Sequence, residues 1–393
     1  MNTQVKRNIR NLQAFYLLAF FGVGSLYPLL SVYLSEVEKL NGYQIGTILS
    51  VGPIVMIFFQ PLWGIMSDMT NAPVKVLTLT TAMAGIFGLG FLFLNHYLLF
   101  LIIAILISVF QSAMIPVSDS ISLKYTSKVK YNYGNVRLFG SLGFGVAVFI
   151  MGRLSDWSAE VIFWGFFIAL SLAAIMAMRL PKEQATEKNK LFSGMKDLFK
   201  IRKFVIFLAV TFMIFGPNLA NNFYFSLFVE DRGGTYTGIG IAFLIAVLSE
   251  IPFMRAAGKW INKFGLLQIA AFAGTVSMIR WFFYFMEPSL SVVYASAVVQ
   301  GVSLGLFIPA GLQYIREITP VNITATAVTV YSAIGNGLGN WFSTFLGGVL
   351  YEEFSIYVVY LFFAVLALIG VVLCFWLIKE ETKSHLINLP IKN

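Results

Sequence analysis

The sequence predicts an all-α membrane protein with twelve transmembrane helices arranged as two similar six-helix halves. Three observations predict it: the scarcity of charge, the regular return of apolar runs, and the one-sidedness of the basic residues. The chain of 393 residues is 58% hydrophobic and only 11% charged, with 39 Phe and 17 Tyr. Soluble domains carry roughly 25% charged residues, so a water-soluble enzyme, a nucleic-acid-binding protein and a disordered chain are excluded at the outset. A bilayer core of about 30 Å needs roughly 20 apolar residues per helix. Runs of that kind fall at 11–35, 43–67, 76–94, 97–123, 133–152, 158–179, 203–229, 237–257, 266–286, 289–315, 321–350 and 355–378.

Taken in order, helix 1 follows Lys6, Arg7 and Arg10 and runs without charge from Leu12 to Leu34. It is too long for a signal-peptide core and lacks a small-residue cleavage site, so it reads as a retained span. Helix 2 closes on Gly64-Ile65-Met66-Ser67-Asp68, and helix 8 closes on Gly258-Lys259-Trp260-Ile261-Asn262. The offset of 194 residues is about half the chain. Helix 4 carries Asp119, and helix 5 carries Arg137, Ser141 and Phe144 together with Gly140, Gly143 and Gly145. After helix 6 comes the one long polar stretch, Pro181 to Lys203, which divides the helices six and six. Helix 7 carries Asn218, Asn221, Asn222 and Phe225, and helix 8 has Glu250 two residues before Pro252. Helix 9 carries Arg280, helix 10 holds Gln300 and Ser303, helix 11 holds Asn336 and Asn340 among Gly335, Gly337 and Gly339, and helix 12 contains the single Cys374. The expected organisation is an N-terminal bundle at 1–180, a cytoplasmic linker at 181–202, a C-terminal bundle at 203–380 and a cytoplasmic tail at 381–393.

The formal net charge is +9, and its distribution makes it an orientation signal rather than a nucleic-acid footprint. With both termini in the cytoplasm, the cytoplasmic segments hold 21 of the 27 Lys and Arg, and the opposite loops hold only Lys39, Arg153 and Arg232. This is the asymmetry of the positive-inside rule. The expected location is therefore the cytoplasmic membrane, multi-pass, with the chain acting as a monomer. Paired six-helix halves of this kind are a transporter architecture, with a site near the midplane at the repeat interface.

An ionisable group at a helix centre costs about 2.5–3.5 kcal/mol on insertion scales. Of the 18 acids only Asp119 and Glu250 lie inside a helix away from its outer end. Asp119 and Arg137 flank one short loop at similar depth, which predicts a pair: either an ion pair tying helices 4 and 5, or a ligand site in which Arg137 grips a hydroxyl or carboxylate. Ser141 and Phe144 share the Arg137 face at i+4 and i+7. A cation, a hydroxyl and a ring on one face suit a sugar or an aromatic ligand. Glu250 is expected to take up and release a proton, since a carboxyl in low dielectric resists ionisation, and Arg280 is its candidate partner. The asparagine stripes of helices 7 and 11 either line a pore or bond between helices.

Other motifs are set aside. Gly301-Val302-Ser303-Leu304-Gly305 has the spacing of a nucleophile elbow, yet it lies in an apolar helix, and the only histidines, His96 and His385, lie in a loop and the tail. No phosphate loop or metal-binding motif is present, so no cofactor, no metal and no ATP-driven step is expected.

Four segments carry a resemblance. Gly24-Ser25-Leu26-Tyr27-Pro28-Leu29-Leu30-Ser31-Val32-Tyr33-Leu34 resembles the first helix of the oligosaccharide–proton symporters, and Phe59-Gln60-Pro61-Leu62-Trp63-Gly64-Ile65-Met66-Ser67-Asp68 resembles their second. The latter is also similar to the loop 2–3 signature of the major facilitator superfamily. Tyr133-Gly134-Asn135-Val136-Arg137-Leu138-Phe139-Gly140-Ser141-Leu142-Gly143-Phe144 and Gly274-Thr275-Val276-Ser277-Met278-Ile279-Arg280 resemble helices 5 and 9 of the lactose-permease family. The resemblance runs over all twelve helices and places the chain in the lactose-permease and phenylpropionate-permease-like branch.

The resemblance implies a major facilitator fold and a proton symporter moving a small organic solute, such as a sugar, a nucleoside or an aromatic acid, by alternating access. It implies substrate contacts at Asp119, Arg137, Ser141, Phe144, Glu250, Asn221 and Gln300, and proton coupling through Glu250, Arg280 and Asp119. Gly64 and Asp68 would form a conformational latch. Phe144 stands where the family has a stacking tryptophan. Gln300 and Ser303 replace its titratable helix-10 pair, and Asn218 and Asn221 facing Asn336 replace its charged pair between helices 7 and 11. Efflux of sugars or drugs is the alternative direction. A non-transporting receptor or scaffold would need long polar loops or an appended domain, which the sequence lacks.

Overall fold

The computed structural model describes residues 3–181, 195–320 and 323–387 and contains no strand among them. Helix α1 spans Thr3–Glu36, α2 Gly42–Thr70, and α3 Pro73–Gly88 with a short continuation at Gly90–Phe93. Helix α4 runs Tyr97–Gln111 and resumes as Met114–Lys128, α5 spans Gly134–Ser155 and α6 Val161–Ala177. Helix α7 covers Arg202–Asp231, α8 Tyr236–Phe264 and α9 Leu266–Phe285. Helix α10 is Ala297–Ile318, preceded by Leu290–Ala295. Helix α11 passes from Thr324–Ser332 through a π-helical segment, Ala333–Gly339, into Asn340–Glu353, and α12 spans Ile356–Ile387.

Among the described residues, ten of these stretches are long and apolar enough to cross a membrane. The 17-residue α6 and the interrupted α11 complete the twelve that the sequence predicts. The long linker stretch is described only at its two ends, and the tail only as far as Ile387.

Four runs that read as continuous are interrupted, in α3, α4, ahead of α10 and in α11, and local features accompany the last three. In α4 the Ser112 hydroxyl donates to the Val109 carbonyl at 2.7 Å, and ahead of α10 the Ser296 hydroxyl donates to the Val293 carbonyl at 2.7 Å. A side chain that engages its own helix in this way competes with the backbone ladder. The π segment of α11 contains Gly335, Gly337 and Gly339. Glycine weakens a helix by about 1 kcal/mol relative to alanine, and here it also admits a neighbour: a Cβ on Gly339 would stand 3.1 Å from the Phe212 carbonyl oxygen and 3.2 Å from the Gly216 Cα, both on α7.

The chain forms two compact units. The first comprises Met1–Asn189, Asn222–Val247 and Thr344–Ile356. Helices α1 and α4 run antiparallel within it. Asn8 donates to the Tyr125 hydroxyl at 3.0 Å, Tyr16 to Asp119, and Tyr27 to Gln111, so the bonds descend one helix as they climb the other. Helix α5 presses on α1 so closely that a Cβ on Gly143 would collide with the Leu17 carbonyl oxygen. The α7 and α11 segments join the same unit: Ser31 donates to the Phe223 carbonyl at 2.7 Å, and the Gly42 amide donates to Glu352 Oε2 at 2.7 Å.

The second unit comprises Lys190–Asn221, Leu248–Ser343 and Tyr357–Asn393. Its core packs Phe207, Ile214, Phe307, Tyr314 and Cys374. At the tail end of α12, Glu381 accepts from Tyr314 at 2.9 Å and from Lys203 at 3.4 Å. Large apolar side chains such as Trp164, Ile279 and Phe375 are left exposed, as lipid-facing positions require.

Candidate functional site

The first unit places Asp119, Arg137, Ser141 and Phe144 on α4 and α5. The predicted ion pair between Asp119 and Arg137 is not formed. Equal depth on neighbouring helices did not fix the direction each side chain faces. Asp119 Oδ1 accepts from two phenols, Tyr16 on α1 and Tyr133 just before α5, the latter at 2.7 Å. Arg137 turns instead toward α1, with its guanidinium carbon 4.3 Å from the Phe20 ring centroid and 5.7 Å from that of Tyr16. Such stacking is worth about 0.5–2 kcal/mol, depending on desolvation. Ser141 is half-buried one turn further along α5. Phe144 meets Phe243 edge-on at 6.3 Å, and Phe243 meets Phe225 edge-on at 5.5 Å, so the predicted lone platform belongs to a three-ring set.

In the second unit Asn221, Arg280 and Gln300 come together in one hydrogen-bonded chain. Tyr360 on α12 donates to Asn221 at 3.1 Å, and Asn221 donates to Gln300 Oε1 at 3.3 Å. Arg280 donates to the same Gln300 oxygen at 3.1 Å and, through Nε, to the Tyr284 hydroxyl at 2.9 Å; that hydroxyl meets Ser296. Arg280 is only 5% exposed. This chain of amide, phenol and hydroxyl groups holds the guanidinium in place.

The predicted pairing of Asn218 and Asn221 with Asn336 is corrected. Asn218 donates to Ser277 on α9 at 3.1 Å and to the Ile214 carbonyl at 2.9 Å, while Asn336 is exposed on the π segment. A neutral amide finds the nearest hydroxyl, whereas the charge pair it replaces would have demanded its opposite.

Glu250 lies at the middle of α8, half-buried, with Pro252 following inside the helix. Helix α10 is wedged against this point. A Cβ on Gly301 would lie 2.5 Å from the Glu250 amide nitrogen, and one on Gly305 would lie 3.0 Å from the Glu250 carbonyl oxygen. The elbow-like glycine spacing is thus a helix-packing device of small residues four apart, and the Ser303 hydroxyl is engaged with the Val299 carbonyl at 3.3 Å. Gly64 has open space around it, and the Asp68 side chain lies outside the described residues.

Sequence reasoning missed Tyr16, Phe20, Tyr133, Tyr284, Ser296 and Tyr360. A phenol in a chain with 17 Tyr and 39 Phe gives no sequence signal of its own. In chemical terms, the first unit offers a cation on an aromatic face beside a carboxylate. The second offers a fixed cation in an amide and phenol network, with a helix-centred carboxyl.

Comparison with known proteins gives a consistent pattern. The model of the MFS_1 like family matches residues 9–362. The chain is 49% identical to the uncharacterized transporter YwbF of Bacillus subtilis (strain 168) over 391 residues, covering 99% of this chain and 98% of that protein. It is 46% identical to the maltose permease of Geobacillus stearothermophilus over 369 residues, covering 93% and 94% respectively. The crystal structure of the nucleoside transporter NupG superposes with a TM-score of 0.82 at 18% identity, covering 96% of this chain and 99% of that one; it shares the fold.

Proposed function

Because the chain belongs to the MFS_1 like family, we propose that it is a secondary transporter that takes up a sugar of the maltose type together with protons. The observation that carries the sugar reading is the Arg137 guanidinium lying over the Phe20 ring. Held by its face, it keeps edge N–H donors directed away from the ring, and such donors suit the hydroxyls of a neutral polyol. The Phe144 ring set offers an apolar face for a pyranose. The 46% identity to a maltose permease supports a disaccharide over a nucleoside or an aromatic acid.

The two sequence halves act as the two bundles of an alternating-access cycle, in the cytoplasmic membrane with both termini inside, as the one-sidedness of Lys and Arg supports. Glu250 carries the proton, since Gln300 and Ser303 do not titrate near neutrality. Asp119 and Arg280 set the charge around solute and proton, and Gly64 with Asp68 latches one state.

The sugar reading is tested by thermal shift on the purified protein. A ligand that binds the native state raises the melting temperature by mass action. Maltose is expected to raise it, and Arg137→Ala is expected to abolish the shift. A shift with nucleosides or aromatic acids and none with sugars would reassign the substrate.

A further inference from the structure

The sequence treats Asp119 and Arg137 as each other's partners, and the structure keeps them apart by a device with several parts. Tyr16 and Tyr133 come from different segments, one from α1 and the other from the turn before α5, yet both hydroxyls converge on the same oxygen, Asp119 Oδ1. A phenol donating to a carboxylate makes a charge-assisted bond, roughly twice as strong as a neutral one. Two such bonds satisfy much of what the carboxylate would otherwise seek from a guanidinium. Tyr133 lies one helical turn before Arg137, immediately ahead of α5, and its hydroxyl is committed to Asp119.

The same elements build a separate seat for the guanidinium. The Tyr16 and Phe20 rings are one helical turn apart on α1 and nearly parallel, at 10° and 6.3 Å between centroids. Both present their faces to Arg137. Gly140 leaves room for both groups: a Cβ there would lie 2.6 Å from Arg137 Nη1 and 3.0 Å from the Phe20 ring. Tyr16 therefore has two roles: its hydroxyl occupies the carboxylate and its ring helps seat the cation. Among the described residues Arg137 makes no ion pair.

We propose that Tyr16 and Tyr133 are positioning residues of the solute site, holding Asp119 away from Arg137 so that the guanidinium's donors stay available to the sugar. The assignment of the ligand rests on the transport reading above; the separation of the two charges does not. Without the phenols, Asp119 is released to pair with Arg137, and the donors are spent on the carboxylate.

The experiment reads the guanidinium directly. Full-length protein in detergent is treated with phenylglyoxal, an arginine-selective reagent, and the modification rate of the Arg137 peptide is followed by mass spectrometry, with the other arginine peptides as internal controls. In Tyr16→Phe/Tyr133→Phe the Arg137 rate is expected to fall by about fivefold, the scale of a partly exposed ion pair, and adding Asp119→Asn is expected to restore it. Loosened packing alone would raise the rate, so an unchanged or faster rate in the double variant overturns the proposal, as does a slow rate that Asp119→Asn leaves in place. If the double variant does not fold, Tyr133→Phe alone is read by the same criteria. Maltose is added in a parallel arm and is expected to protect Arg137 in the wild-type protein. Absence of protection with the variant effect intact would overturn the sugar reading while supporting the positioning role.

Discussion

Arg137 shows how much one side chain's direction decides. A guanidinium paired with Asp119 would be a strut between helices; lying over Phe20 at 4.3 Å, it is a tool. Lysine is not a substitute there, because a compact ammonium has no plane to lay on a ring and no fork of donors. Arg137→Lys is expected to weaken maltose binding by about 1 kcal/mol, the scale of an exposed cation–π contact, measured by isothermal titration on purified protein; equal affinity would show that the stacking is incidental. Gly140→Ala is expected to act in the same direction without touching any charge, since its Cβ would intrude 2.6 Å from Arg137 Nη1. The charges were legible in the sequence because each ionisable group in a membrane helix is costly and therefore rare. Their partners were not. Depth along a helix follows from counting residues, but which way a side chain leans depends on neighbours such as Tyr16 and Tyr133, which look like ordinary aromatic filler.

Between helices, close approach follows from missing side chains. The α8–α10 contact brings Gly301 so near the Glu250 amide that a Cβ would stand at 2.5 Å, against backbone that cannot swing aside. Gly301→Ala is expected to destabilise the second unit by about 1–3 kcal/mol, the usual cost of overpacking, read as a lower melting temperature in detergent. A variant with wild-type melting would mean that α10 can move away from Glu250 freely. Element positions were read well from apolar run lengths, since a span must match the bilayer. The interruptions in α3, α4, α10 and α11 were not, because the hydroxyls and glycines beside them are also common in intact transmembrane helices. The π segment puts Gly339 against α7, and such segments frequently mark functional sites. Gly339→Val is expected to impair transport more than it impairs folding, as judged by uptake rate against monodisperse yield.

Over the whole molecule, the many apolar helices and the family describe a membrane transporter, and the open matter is what drives it. The helix-10 position where the resemblance to the lactose-permease family implies a titratable group is here an amide, Gln300, bonded to Asn221 and Arg280. An amide does not take up a proton near neutrality, so the proposed coupling rests on the carboxyl at the middle of α8. The decisive measurement is accumulation of radiolabelled maltose in proteoliposomes with an alkaline interior, comparing the wild-type protein with Glu250→Gln. The wild type is expected to concentrate the sugar, a protonophore to collapse the gradient, and Glu250→Gln to equilibrate maltose without concentrating it. Accumulation by Glu250→Gln at the wild-type level, or a wild type indifferent to the pH gradient, would contradict coupling through Glu250.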